Sequence, residues 1–124
     1  MDIKTSIKQI AQDAQLASRI LSRVSSAEKN KTLLQMADEL EQKRDFLVAE
    51  NARDVALAQK NGLHQAMIDR LTLKDETISS MAQGLREVAS LPDPVGKVTS
   101  MWRRPNNLMV GRMRIPLGVI GIIL

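Results

Sequence analysis

The sequence ends in eight residues, 117–124 (LGVIGIIL), without a single polar or charged side chain. A run of this length is too short to cross a membrane as a helix, which takes about 20 apolar residues. A strand that is apolar on both faces is typical of a parallel sheet covered by helices on either side. The run therefore predicts an interior strand of an α/β sheet.

This predicted strand also bears on the length of the protein. Burial of its six large aliphatic side chains is worth about 1.5–3 kcal/mol each, or roughly 9–18 kcal/mol in total, which rivals the net stability of a whole domain. We therefore expect the 124 residues to be the N-terminal portion of a longer α/β enzyme. One alternative stays open: a non-enzymatic, basic helical interaction module that donates its C-terminal strand to a partner sheet.

The first ninety or so residues have the pattern of amphipathic helices, with apolar residues at three- and four-residue spacings. Ser25 and Glu28 have the spacing of a capping box, so a helix should begin near Ser26. Gly62 should end one, because glycine accepts the left-handed backbone at a helix C-terminus. The predicted helices cover residues 2–24, 26–60 with room for a break near 43–45, 64–71 and about 75–91.

The period of the sequence changes after Pro94. Residues alternate over 97–115, and Pro105 and the asparagines after it are turn formers, which predicts a β-hairpin or ribbon. Trp102 is expected to be buried against the helices. The predicted organisation is a helical part, a ribbon and the truncated first strand of a Rossmann-like sheet, in residues 1–96, 97–116 and 117–124.

The net charge of +4 comes from the C-terminal part. Residues 1–91 carry 13 basic and 13 acidic groups, whereas residues 92–124 carry five basic groups and one acidic group. Solvated faces of the ribbon explain these arginines, and without interleaved aromatic residues they are a poor nucleic-acid signature. We expect neither a nucleic-acid partner nor a membrane partner. If this segment bound nucleic acid, its affinity would fall steeply with salt concentration.

Few residues are candidates for chemistry. The absence of cysteine excludes disulfides and a thiol nucleophile within these residues and is compatible with a reducing cytoplasm. The single histidine, His64, follows Gly62 and is expected at the surface or in a cap. The carboxylates lie at solvated helix positions without metal-ligand spacing, and Gly118 and Gly121 lack the spacing of a phosphate-binding loop. We therefore predict neither a catalytic residue nor a metal site in this chain.

Three stretches together are more specific: ENARDVALAQKNGL, MIDRLTLKDETISSMAQGLREVASLPDPVGKV and RRPNNLMVGRMRIPLGVIGII. In this order they resemble the N-terminal third of the γ-glutamyl phosphate reductase family, also called glutamate-5-semialdehyde dehydrogenases, in the aldehyde dehydrogenase superfamily. The resemblance runs over essentially the whole chain and is strongest from Asn51 onward.

The resemblance implies a cytoplasmic enzyme of proline biosynthesis. It would use NADPH to reduce its substrate, L-glutamyl 5-phosphate, to L-glutamate 5-semialdehyde with release of phosphate. In the family a cysteine attacks the acyl phosphate, which divides a difficult displacement into two easier steps. That cysteine lies far beyond residue 124, so we expect the chain alone to be inactive.

The resemblance also implies two roles within the chain. In the superfamily the first strand ends at the dinucleotide, which would place the backbone of Ile123 and Leu124 beside NADPH, since ligands of open α/β sheets bind at the carboxyl ends of the strands. These two residues could equally belong to the core alone. The ribbon at 97–116 would join protomers into a homo-oligomer by pairing of strand edges.

Overall fold

The computed structural model describes residues 2–123, and within them it contains five helices and one two-stranded antiparallel sheet. The prediction of a mainly helical chain with a C-terminal β-ribbon is therefore confirmed. The elements in chain order are α1 (Ile3–Leu21), α2 (Ser26–Gln42), α3 (Arg44–Lys60), α4 (Gln65–Leu71), α5 (Asp75–Ser90), β1 (Val98–Arg103) and β2 (Met109–Met113).

The chain divides into two compact units. One is continuous, covers residues 27–91 and contains α3, α4, α5 and nearly all of α2. The other combines α1 with the ribbon and the C-terminal segment.

The core of the continuous unit is small and made of short side chains. Every one of its helices contributes, and Ile78 of α5 is the largest side chain that is fully buried within residues 2–123. Alanines at four of the six core positions let the helices approach closely, while most large aliphatic residues lie at the rims. The buried apolar residues are Ala37, Ala58, Ile68, Ile78, Ala82 and Ala89.

Local signals set the helix ends. The predicted break between α2 and α3 falls at Lys43, whose ψ of 16° departs from helical geometry. At the end of α3, the amide of Gly62 donates to the carbonyl of Gln59 (3.0 Å) and that of Leu63 to the carbonyl of Ala58 (3.1 Å). This is a Schellman motif, and it needs the left-handed φ of 73° that Gly62 adopts. The predicted stop at Gly62 is confirmed.

The β-ribbon is a hairpin with a three-residue loop, residues 105–107, closed by a hydrogen bond from the amide of Arg104 to the carbonyl of Leu108 (2.8 Å). The amide of Asn107 donates to the carbonyl of Arg104 (2.9 Å), and Asn107 has a φ of 65°, as expected for a turn closed by a left-handed residue. Val98 pairs with Met113 and Ser100 with Arg112, so Thr99 is an extra residue and forms a bulge in β1.

The ribbon corrects one prediction. Trp102 is 39% exposed, and Arg112 lies over its ring, 6.0 Å from the centroid. The expected burial of Trp102 against the helices is therefore wrong. Alternation along a strand shows which residues share a face, but it does not show that another element covers that face.

The C-terminal apolar run behaves differently from the ribbon. Residues 117–123 form no strand with any other described residue, and their large side chains are exposed. A strand of an α/β sheet requires neighbouring strands for its backbone hydrogen bonds. The sheet strand at 117–124 therefore stays a prediction, and Leu124 lies outside the described residues.

Candidate functional site

The continuous unit has an apolar groove of about 1000 Å³. Its walls come from α2, α3 and α5, and most of its lining side chains are aliphatic, aromatic or methionine. We call it the α2–α5 groove. The lining residues are Thr32, Gln35, Met36, Glu39, Leu40, Lys43, Phe46, Leu47, Met81, Gly84, Leu85 and Val88.

Charged groups of the groove sit at its edge. The ammonium group of Lys43 lies 2.7 Å from a carboxylate oxygen of Glu39, one helical turn earlier, and both side chains are well exposed. Both charges are therefore satisfied by each other and by water. The interior of the groove offers no described nucleophile or acid–base pair, so its chemistry suits an apolar occupant.

Beside the groove, an ionic cluster joins α2 to α5. Arg86 donates from Nη1 and Nη2 to the two carboxylate oxygens of Glu41, at 3.1 and 2.7 Å, and from Nη2 to Asp38 at 2.8 Å. The hydrogen bond from Arg86 holds the pKa of the Glu41 carboxyl below its ordinary value. The same partners raise the pKa of Arg86. Both groups thus stay charged at neutral pH, and their role in this arrangement is structural.

The other unit has a smaller cavity of about 630 Å³ between α1 and the start of the apolar run. Lys8 and Arg19 of α1 line it together with Gly118 and Val119. Two exposed cations on a helix surface, with no buried polar partner, do not form a built anion site.

The structure describes one of the two predicted cofactor-binding residues, Ile123. Ile123 is 100% exposed and lines neither of these two cavities, while Leu124 lies outside the described residues. Their predicted proximity to NADPH stays a prediction.

The remaining candidates are the single histidine, metal-binding groups and membrane-spanning helices. His64 is exposed and occupies the N-cap position of α4, where its carbonyl accepts from Ile68 at 3.1 Å, so the predicted surface or capping role is confirmed. Within residues 2–123, no group of three histidine, cysteine or carboxylate side chains is placed to hold a metal ion. None of the helices described is long and apolar enough to span a bilayer.

Sequence reasoning missed both the groove and the Arg86 cluster. Arg86 is 45 residues from Glu41, so no local spacing links the two. Gly84 could have indicated the groove from the sequence, because a glycine in the middle of a helical pattern usually has a packing or functional reason.

The chain is similar in sequence to proteins that carry the same name, gamma-glutamyl phosphate reductase. The chain is 57% identical over 123 residues to the gamma-glutamyl phosphate reductase of Geotalea daltonii and 50% identical over 123 residues to that of Moorella thermoacetica. Each match covers 99% of this chain, which spans about 29% of the length of either relative. No family model matches the chain.

Two solved structures share the fold. The gamma-glutamyl phosphate reductase of Thermotoga maritima aligns with a TM-score of 0.80 and 33% identity, over 86% of this chain and 26% of its own. The enzyme of Saccharomyces cerevisiae aligns with a TM-score of 0.80 and 31% identity, over 87% of this chain and 28% of its own.

These matches define the class of protein: the helices and the ribbon correspond to part of an α/β enzyme. The chain is a homologue of the gamma-glutamyl phosphate reductases, and it matches their N-terminal part. The resemblance seen in the sequence is thereby confirmed.

Proposed function

We propose that this chain supplies the N-terminal part of an NADPH-dependent reductase. The complete enzyme would convert L-glutamyl 5-phosphate into L-glutamate 5-semialdehyde and phosphate, as a step of proline biosynthesis in the cytoplasm. The observation that carries the proposal is the identity of 57% to the Geotalea daltonii reductase across 123 residues. The alignment at a TM-score of 0.80 with a solved reductase supports it independently.

The chain's own share of the work is structural. The proposed reaction needs a nucleophile that takes the acyl group from phosphate, and the family's cysteine has no counterpart here, since the chain contains no cysteine. NADPH would supply the hydride. We therefore propose that the 124-residue chain has no reductase activity of its own. The backbone of Ile123 and Leu124 would flank the cofactor only in the complete sheet.

The ribbon is the proposed element of assembly. Its side chains are exposed with the partial exception of Val110, and each strand has one outer edge that pairs with no other described residue. Exposed edges are available to another strand. We propose that pairing there joins protomers of the complete enzyme into a homo-oligomer.

A chimera tests the proposed function directly. The present chain replaces the 123 matched residues of the Geotalea daltonii reductase, and the purified chimera is assayed for phosphate-dependent reduction of NADP⁺ by glutamate 5-semialdehyde. We expect activity in the chimera and none in the 124-residue chain, with the unaltered relative as the positive control. A folded chimera without activity, or activity in the chain alone, would contradict the proposal. Light scattering on the active chimera then reports whether it assembles.

A further inference from the structure

Helix α5 contains a glycine for which the described chain offers no reason. Gly84 lies in the middle of Asp75–Ser90, has no positive φ, and an added Cβ would meet no atom within 4 Å. Glycine is the poorest helix former after proline, and Ala at this position would favour the helix without a clash. Nothing within residues 2–123 therefore requires a glycine at this position.

Gly84 also lies at a surface suited to an occupant. It lines the α2–α5 groove between Met81 and Leu85, and it is half-buried although open space lies above its Cα. Methionines on both sides of the groove, Met36 and Met81, are exposed and can adapt their shape to a partner. A glycine at such a surface permits close approach of another backbone.

The length of the relatives indicates what this occupant is. The chain spans about 29% of the Geotalea daltonii reductase and aligns with 26% of the Thermotoga maritima chain. Most of a reductase is thus outside the described structure and available to cover an apolar groove of about 1000 Å³. A complete enzyme that left this groove empty would keep its apolar side chains in water.

We infer that the α2–α5 groove holds an apolar segment of the reductase from beyond residue 124, and that this segment crosses α5 in close contact with Gly84. The inference rests on the proposed function and adds a specific contact to it. A side chain at position 84 fills the space that the crossing segment needs. It therefore weakens the complete enzyme while it strengthens the helix in the present chain.

The test compares Gly84→Ala and Gly84→Leu in two contexts, the 124-residue chain and the chimera described above. In the chain, G84A is expected to raise Tm by about 5 °C, because it removes the helix penalty of glycine. In the chimera, both variants are expected to lower Tm, and G84L more than G84A. The control is Gln83→Leu, at the neighbouring exposed position outside the groove, which should shift Tm by similar amounts in both contexts.

The outcomes separate this inference from the proposed function. A chimera that folds without reductase activity contradicts the function alone, since the opposite Tm shifts do not depend on turnover. A stabilising effect of G84A in both contexts overturns the crossing at Gly84. A concentration-dependent dimer of the 124-residue chain that G84L abolishes would assign the groove to a second copy and overturn the inference. A chimera that cannot be recovered in folded form contradicts both proposals.

Discussion

The side chain of Asn51 holds the backbone at Leu73 in place: the amide of Leu73 donates to Oδ1 of Asn51 at 2.7 Å. The same side chain donates from Nδ2 to the carbonyl of Leu71 at 3.0 Å. One residue of α3 thereby satisfies both backbone groups where α4 ends and the chain turns towards α5.

Substitution of Asn51 should therefore loosen this turn. Asn51→Ala removes both hydrogen bonds and leaves a partly buried amide without its partner, so we expect a loss of roughly 1–3 kcal/mol in the free energy of unfolding. Asn51→Asp keeps the acceptor for Leu73 but loses the donor to Leu71, and its loss should be smaller. Urea unfolding measures both, with Asn61→Ala, at the exposed residue that follows the same helix, as the control. Equal stability of N51A and the wild type would contradict the prediction.

The Arg86 cluster yields a second prediction, on the contact between α2 and α5. Arg86→Met removes every hydrogen bond to Glu41 and Asp38, and Arg86→Lys keeps the charge but not the paired geometry. We expect Tm to fall for both variants, more for R86M. The fall should shrink at about 1 M salt, where charges are screened beyond roughly 3 Å.

A matched control exists for this cluster. Arg53 forms an ion pair of 2.8 Å with Glu50 within α3, and its side chain is 78% exposed against 32% for Arg86. Because that pair joins no two helices, Arg53→Met should leave Tm nearly unchanged. If R53M and R86M lower Tm equally, the link between α2 and α5 adds no more stability than an exposed ion pair within one helix.

The pKa of Glu41 gives a third prediction, on acid stability. Arg86 lowers this pKa in the folded chain from its ordinary 4.5, so the unfolded chain takes up the proton more readily. The contribution to stability is complete above pH 4.5 and is lost as the pH falls through the lowered value. NMR titration of the Glu41 carboxyl should show a lower midpoint in the wild type than in R86M. Identical midpoints would mean that the contact does not persist in solution.

Sequence patterns succeeded where the cause was local. The stop at Gly62 and the break at Lys43 depend on a few neighbouring residues, and both appear at the predicted positions. The turn at Asn107 follows from the same kind of signal, because asparagine tolerates a positive φ. Such features can be predicted from the sequence because the interactions that decide them span about five residues.

Patterns failed where the cause was distant. Periodicity marks the apolar face of α1, yet that helix has no buried residue, because what covers a face depends on other elements. Trp102 shows the same limit within the ribbon. The pairing of Arg86 with Glu41 and the groove beside it arise only when α2 and α5 meet, and composition does not encode which charges become neighbours.

The extra residue Thr99 makes the two outer edges of the hairpin different from each other. A bulge disturbs the regular spacing of amides and carbonyls, which makes β1 a poor template for a third strand. Strand β2 (Met109–Met113) carries no such irregularity. In the proposed assembly, a strand of another subunit would therefore pair with β2 rather than with β1, and each subunit would accept one neighbour there. A single accepting edge of this kind would favour a closed assembly over an indefinite fibre.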